Sequence, residues 1–409
     1  MRHIYLLLLA FVPMISYSQA AGCTDPLSSN YNPLATENDG SCVYQNATIM
    51  PLGSVNLADA IRETSGLIRW GTGMLTHNDD TDTKLYVLDS LTGAITTTHQ
   101  LQGVTNVDWE EITQDADFIY VGDFGNNAQG NRSNLRILRI AKETFPGANV
   151  EIDTISFSFE DQADFTPHSA NNTDFDCEAF VASSQYIYLF TKQWVSHATA
   201  IYRLPKVPGT HIADAIGAWN INGLVTGATL VENRRILVLS GYDNLLRPFL
   251  YLLYDYYGDS FFSGNKRKVT IPMQFHQMEG ITTTDGLRYH LSNERFSQAF
   301  LNVPAKLHAF DLNPFLNFYI NGQNLNTNNE LADRDFVVFP NPVDQTLTVR
   351  VRSELVGSRY IFFDQSGRMV LQGNLEALFS RIDVSDLSDG IYNLQIGDLR
   401  KNNIKVAIK

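Results

Sequence analysis

Five short segments between residues 47 and 320 share one pattern, and that repetition limits what the chain can fold into. They are Thr64-Ser65-Gly66-Leu67, Trp109-Glu110-Glu111-Ile112, Cys177-Glu178-Ala179-Phe180, Thr226-Gly227-Ala228 and Met278-Glu279-Gly280-Ile281. Each sets a polar residue in an apolar strand start. The aligned residues, Ser65, Glu110, Glu178, Thr226 and Glu279, are separated by 45, 68, 48 and 53 residues. A second polar position follows 13 residues later in four units, at Asn78, Asp123, Thr191 and Ser292. In the fourth unit it follows after 14, at Ser240. A third apolar strand comes next, as in residues 85–88 and 249–253, and most units allow a fourth. Four-stranded units of roughly 45 to 55 residues are the blades of a β-propeller. A stack of β-sandwiches has no reason to repeat one spacing five times. The direct count is five blades. The interval from Ile140 to Phe175 has room for a sixth blade or for an insertion. Residues 48–52 are expected as the outer strand of the last blade, closing the ring.

After a polar, Asn-rich stretch read as a linker over 321–335, the pattern changes. Residues 347–352 alternate apolar and polar, as a half-buried strand does. Asp364-Gln365-Ser366-Gly367 and Asp389-Gly390 are turn signals. The fold class is therefore all-β, a five-bladed or six-bladed propeller followed by a small C-terminal β-sandwich over 336–409. The segment holds Phe339-Pro340-Asn341-Pro342, then Gly367, then Gly390-Ile391-Tyr392, and closes on Ile404-Lys405-Val406-Ala407-Ile408-Lys409. In this order the motifs resemble the type A C-terminal sorting domain of the type IX secretion system of Bacteroidetes. The resemblance implies Pro340, Asn341, Pro342, Gly367, Gly390 and Tyr392 as the sorting motif. It also implies the type IX secretion machinery as partner, and export through the periplasm to the outer cell surface or the medium.

The N-terminus agrees with export. Arg2 and His3 precede an apolar run from Ile4 to Val12, and Ser16 and Ser18 precede a signal-peptide cleavage expected after Ser18. That run is too short to span a bilayer, which takes roughly 20 residues. Residues 1–18 are read as signal peptide, 19–45 as a small disulfide-closed module and 46–320 as the propeller. In an exported chain Cys23 and Cys42 should pair. The loop they enclose resembles short Cys-Thr-Asp-Pro modules of secreted Bacteroidetes proteins. Asp25, Asn30, Asn32 and Asp39 there could ligate Ca²⁺ or make Asx-turns. Cys177, left over, reads as a small buried hydrophobe.

The formal net charge is −14, and the segment from Phe336 is near balance, so the excess lies on the propeller. Such a charge argues against nucleic acid or an anionic membrane as partner. The five repeated polar positions converge near the axis of a propeller, and three are glutamates, Glu110, Glu178 and Glu279. Asp108, Glu111, Asp123, Asp176 and Glu294 share the repeat frame. Carboxylates brought together repel unless protons or a cation neutralise them. Ca²⁺, with six to eight oxygen ligands, would do so. The expected metal ligands are Glu110, Glu178, Glu279, Asp123 and Glu294. Trp109-Glu110-Glu111-Ile112 and Met278-Glu279-Gly280-Ile281 resemble strand starts of phytase-like and esterase-like propellers, which place acids and metal on the axis. Lys192, Arg132 and Arg295 could bind an anionic group or balance local charge. His77 is a candidate base or ligand. No Gly-x-Ser-x-Gly elbow, Walker loop, dinucleotide fingerprint or His-Glu-x-x-His is present. Two readings remain open. One is a binding module with an unknown ligand on the propeller face. The other is a Ca²⁺-dependent hydrolase, phosphoesterase-like or esterase-like.

Overall fold

The innermost strands Thr64–Trp70, Trp109–Gln114, Asp176–Ala182, Leu224–Val231 and Met278–Thr283 stand side by side, the fifth against the first, and close a ring. The computed structural model describes residues 20–79, 82–298, 300–325, 336–339, 341–351, 355–377, 379–397 and 403–408. The signal peptide read over residues 1–18 and most of the linker lie outside them. From each inner strand an antiparallel sheet of four strands runs outward. Middle strands such as Pro248–Tyr254 are buried along their whole length, being covered by a blade on either side. The core is accordingly a set of wedges. Ile68, Leu75 and Leu85 meet Ile112, Ile119 and Ile140 between the first two blades. Ile236, Leu250 and Leu252 meet Ile281, Leu291 and Phe310 between the last two.

There are five blades among the described residues. The long interval after Ile140 is an insertion: the outer strand Ile152–Phe159 of the second blade, followed by a loop over 160–175. Strand Gly209–Trp219 of the third blade pairs antiparallel with Thr199–Pro205 through its second half. Its first half pairs parallel with Ile152–Phe159, so two neighbouring blades share an edge.

The ring is closed by the N-terminal segment, but not by the residues expected. Gly53–Asn56 is the outer strand of the fifth blade, antiparallel to Lys306–Asp311. Ala47–Thr48 instead adds to the fourth blade, parallel to Asn265–Thr270. The apolar run between them crosses from one blade to the other. Ile49 is buried between the two blades, and Pro51 has no N–H for a ladder. His308 pins the closing strand through Ser54 Oγ at 2.7 Å.

A helix, Asn313–Leu325, follows the last blade and buries Phe315, Leu316 and Ile320 against it. The stretch read as a linker from Asn321 thus begins as the end of a helix. Its i, i+1, i+5 apolar positions are hidden among asparagines, so the sequence reads as polar coil.

The Cys23–Cys42 disulfide closes the N-terminal module. The module sits against the fourth blade, where Asn38 donates to Asp255 at 2.9 Å and to Asn265 at 3.0 Å. Its acids and amides are taken up in turns. Asp25 accepts from Leu27 N and Tyr44 Oη, Asn32 from Leu34 N, and Asp39 from Ser41 N. Asn30 bridges Ser41 O and Val43 N. These contacts are Asx-turns and short bridges.

The C-terminal unit has two sheets. Phe336–Phe339, Thr346–Val351 and Phe379–Asp383 form one; Met369–Asn374, Arg359–Phe363, Gly390–Ile396 and Asn403–Ile408 form the other. Leu347, Val349, Phe362, Leu394 and Val406 fill the space between them. Asn341 ties to the last strand, donating to Lys405 O and accepting from Ala407 N. Gly367 takes φ +81° in its turn, and Tyr392 donates to Ser388 O. Pro340 lies outside the described residues. No described helix is long and apolar enough to cross a membrane.

Candidate functional site: an acidic cup on the propeller axis

The repeated polar position marks a β-bulge. Glu110, Glu178 and Thr226 are each skipped in the pairing of their inner strand with the next. In the fifth blade the skipped pair is Glu279-Gly280, and in the first it is Gly66-Leu67, beside Ser65. A bulge turns its extra residue out of the ladder and bends the strand. Thr226 uses this to donate to the next blade at Met278 O, and Ser65, just before its own blade's bulge, donates to Glu110 O. The second polar position does not mark one ladder site. Asp123 and Thr191 pair with the residue before the bulge, whereas Ser240 pairs with the residue after it. Turn length and bulge form differ among blades, so a fixed offset drifts along the ladder.

Below the bulges the inner strands approach closely. A Cβ on Gly66 would meet Ile112 N at 2.5 Å, and one on Gly227 would meet Glu279 O at 2.1 Å. Gly66 also takes φ +57°. In the position after the bulge the other blades carry glycine or alanine, and the second carries Glu111. Its side chain crosses the axis and accepts from Ala228 N at 3.0 Å and Ile112 N at 3.0 Å. Burial pushes this carboxyl well above the usual range, and the N–H groups only partly offset that. The channel is therefore plugged at this level. Above it the acids form a cup: Glu110, Glu178 and Glu279 are buried, and Glu63, Asp79, Asp108 and Glu294 at its mouth are partly exposed.

The cup is lined by carboxylates from four blades. Glu110 and Asp108 come from the second, Glu178 and Asp176 from the third, Glu279 and Glu294 from the fifth, Asp79 and Glu63 from the first. Lys192 is the cation buried among them, with Arg62 beside Glu63 at the rim. Lys192 Nζ lies 3.0 Å from Glu178 Oε1 and packs over the rings of Trp194 at 4.7 Å and Tyr242 at 5.2 Å. Burial would lower the lysine's pKa, but Glu178, Tyr242, Glu279 and Asp176 outweigh it and hold it well above its ordinary value. Asp176 is satisfied by Asn126 N at 2.6 Å and Trp194 Nε1 at 2.8 Å.

One lysine does not neutralise this many acids. Burial raises Glu110, and Glu178, Asp108 and Asp176 add to the rise. Burial likewise lifts Asp108 to about 6, Glu294 to about 7 and Asp79 to about 8, each helped by neighbouring carboxylates. Glu279 is raised by burial and by Glu294, Glu178 and Asp79, against Lys192. Its Oε2 is buried and has no hydrogen-bond partner. Beside it, Glu63, Asp79 and Glu294 each offer an oxygen within 4.8 Å of the others, a set that could hold a metal ion.

Of the five expected ligands, Glu110, Glu178, Glu279 and Glu294 do converge on the cup. Asp123 does not join them. It is fully buried between Arg132 at 2.9 Å and Arg136 at 2.8 Å, and both its oxygens are in ion pairs. Arg132 therefore balances charge, and Arg295 lies 3.5 Å from Asp59. Asp79 belongs to the Thr76–Asp79 stretch, whose sequence suits either a tight turn or ligands on the binding face, and Glu63 lies just outside the repeat frame. The signal available was their position at the mouth ends of the first blade's two inner strands. His77 is buried, its ring edge-on to Trp109, and burial lowers it to about 4. Cys177 is buried and free.

Residues 337–409 match the model of the secretion system C-terminal sorting domain. The C-terminal unit is a type IX secretion sorting domain. The protein is thus delivered to the cell surface or beyond it. No curated protein matches the chain. Among solved structures, the glutaminyl cyclase of Myxococcus xanthus is similar over 65% of this chain and 99% of its own, at 8% identity and TM-score 0.39. PorZ, a surface component of the type IX secretion system of Porphyromonas gingivalis, is similar over 88% of this chain at 12% identity and TM-score 0.28. This chain spans 52% of PorZ. The WD40 repeats of RRP9 align over 60% of this chain and 67% of theirs, at 8% identity and TM-score 0.31. Likenesses this distant carry no activity across.

Proposed function

We propose that this chain is a binding module of a Bacteroidetes cell surface, and that its acidic cup holds Ca²⁺. Residues 1–18 would carry it across the inner membrane and the sorting domain across the outer one. The observation that supports the ion is the orphaned Glu279 Oε2 beside the clustered oxygens of Glu63, Asp79 and Glu294. A buried carboxylate oxygen without a partner is costly, and a hard cation removes that cost. Lys192 already serves Glu178, so the ion belongs on the side of the first and fifth blades, not at Glu110 and Glu178. Held mainly by three partly buried acids at the mouth, it would keep coordination positions open to a ligand.

One observation favours the hydrolase reading. Glu294 and Asp108, poised near 7 and 6, could exchange protons with a substrate near neutral pH. Ca²⁺-loaded mature protein should not turn over p-nitrophenyl phosphate or p-nitrophenyl acetate. Turnover that disappears in Glu279→Gln and Glu294→Gln would replace the binding module with a hydrolase.

A further inference from the structure

Next to the cup, on the same face, lies a second concavity of about 510 Å³ at the mouth of the first blade. Asn78, Asp82, Thr83, Lys84, Arg62 and Gln100 are among its lining residues. We propose that this cleft binds a neutral saccharide, a proposal that rests on reading this face as the binding face.

Three features carry it. The first is charge. Lys84 lies 3.7 Å from Asp82, Arg62 lies 3.3 Å from Glu63, and the cleft's two acids, Asp59 and Asp82, balance its two bases. Unlike the cup, the cleft has no net charge with which to select an ion. The second is chemistry. Ala60 and the ring of Tyr86 are its only apolar components, so an apolar ligand gains little there. Amide, hydroxyl, carboxylate and guanidinium groups stand together; Gln100 Nε2 is held by Thr83 and Leu101 and Tyr86 Oη by Asp82, and the mixture left is of donors and acceptors, as a polyhydroxylated ring requires. The third is an unused acceptor. Asn78 is only 5% exposed, and its Nδ2 donates to Ala60 O at 2.9 Å, but its buried Oδ1 has no partner. That atom is shielded from solvent, so a ligand hydroxyl would satisfy it only by entering past the lining side chains. The volume suits roughly one or two sugar rings.

The wall between cleft and cup is thin in sequence. Asn78 lines the cleft and Asp79 belongs to the acid cluster; Arg62 and Glu63 divide in the same way. Saccharide and cation would sit on opposite sides of these two backbone steps.

The test is calorimetry on the full mature chain with maltose, cellobiose, lactose and chitobiose, each with added Ca²⁺ and with chelator, and with glucuronate as an anionic control. At least one neutral disaccharide should bind at one site, with affinity unchanged in about 0.5 M NaCl. Gln100→Ala and Thr83→Ala alter exposed or half-exposed side chains and should fold normally. Each should weaken that binding by about tenfold. The proposal is overturned if none of the four sugars binds, if glucuronate binds more tightly in a salt-sensitive way, or if both variants keep full affinity. Heat from Ca²⁺ alone is read in the same series. A sugar failure with Ca²⁺ binding intact defeats only the cleft, and a Ca²⁺ failure with sugar binding intact defeats only the ion.

Discussion

Glu111 Oε2 accepts the backbone N–H of Ala228 at 3.0 Å across the axis of the ring, joining the second blade to the fourth. The contact replaces what would otherwise be an open channel with a buried carboxyl, and it gives the cup a floor. It also exploits the small residues of the other blades, since a side chain at Gly66 or Gly227 would occupy the same space.

Glu111→Ala should therefore destabilise the propeller. It leaves Ala228 N–H and Ile112 N–H without their side-chain acceptor, at about 1–3 kcal/mol for each group left unpaired. Glu111→Gln keeps one oxygen and should lose less. Urea denaturation of the three proteins checks the order.

Lys192→Met should be severe. Removing one member of a buried pair costs about 3–5 kcal/mol, because the partner charge remains. Adding Glu178→Gln to Lys192→Met should recover much of the loss. A double variant no more stable than the single one would mean that Lys192 acts through its packing on Trp194 and Tyr242.

Acid should weaken the ring closure. His308 is bonded to Ser54 and Asn293, and burial lowers it to about 3. Its ordinary value is 6.5. A depressed pKa contributes stability above the unfolded value and loses it as pH falls toward the folded one. The melting temperature should drop between about pH 6.5 and pH 4, and the drop should be smaller in His308→Gln. An equal drop in both would exonerate His308.

Much of this molecule was legible because propeller blades repeat. A polar residue recurring in five inner strands announced the number of blades and the convergence of Glu110, Glu178 and Glu279. What stayed hidden depends on contacts that have no local pattern. The closing strand Gly53–Asn56 is Gly-Ser-Val-Asn, with little strand character of its own, and pairs only because the fifth blade offers an open edge. Asp123 looked like a ligand until Arg132 and Arg136, distant by 9 and 13 residues, claimed it. Glu111 looked like a further member of the Glu110 cluster, but it plugs the axis below the bulge by accepting from Ala228 N, while Glu110 is the residue that the bulge sets out of the ladder.

The measurement closest to the central claim is a Ca²⁺ titration by calorimetry on the mature chain, beside Glu279→Gln and the double variant Glu63→Gln/Glu294→Gln. One Ca²⁺ per chain, lost or weakened at least tenfold in both variants while their melting in chelator stays close to that of the parent, is the predicted result. No bound ion, or an ion that survives both variants, would contradict a cation site in the cup.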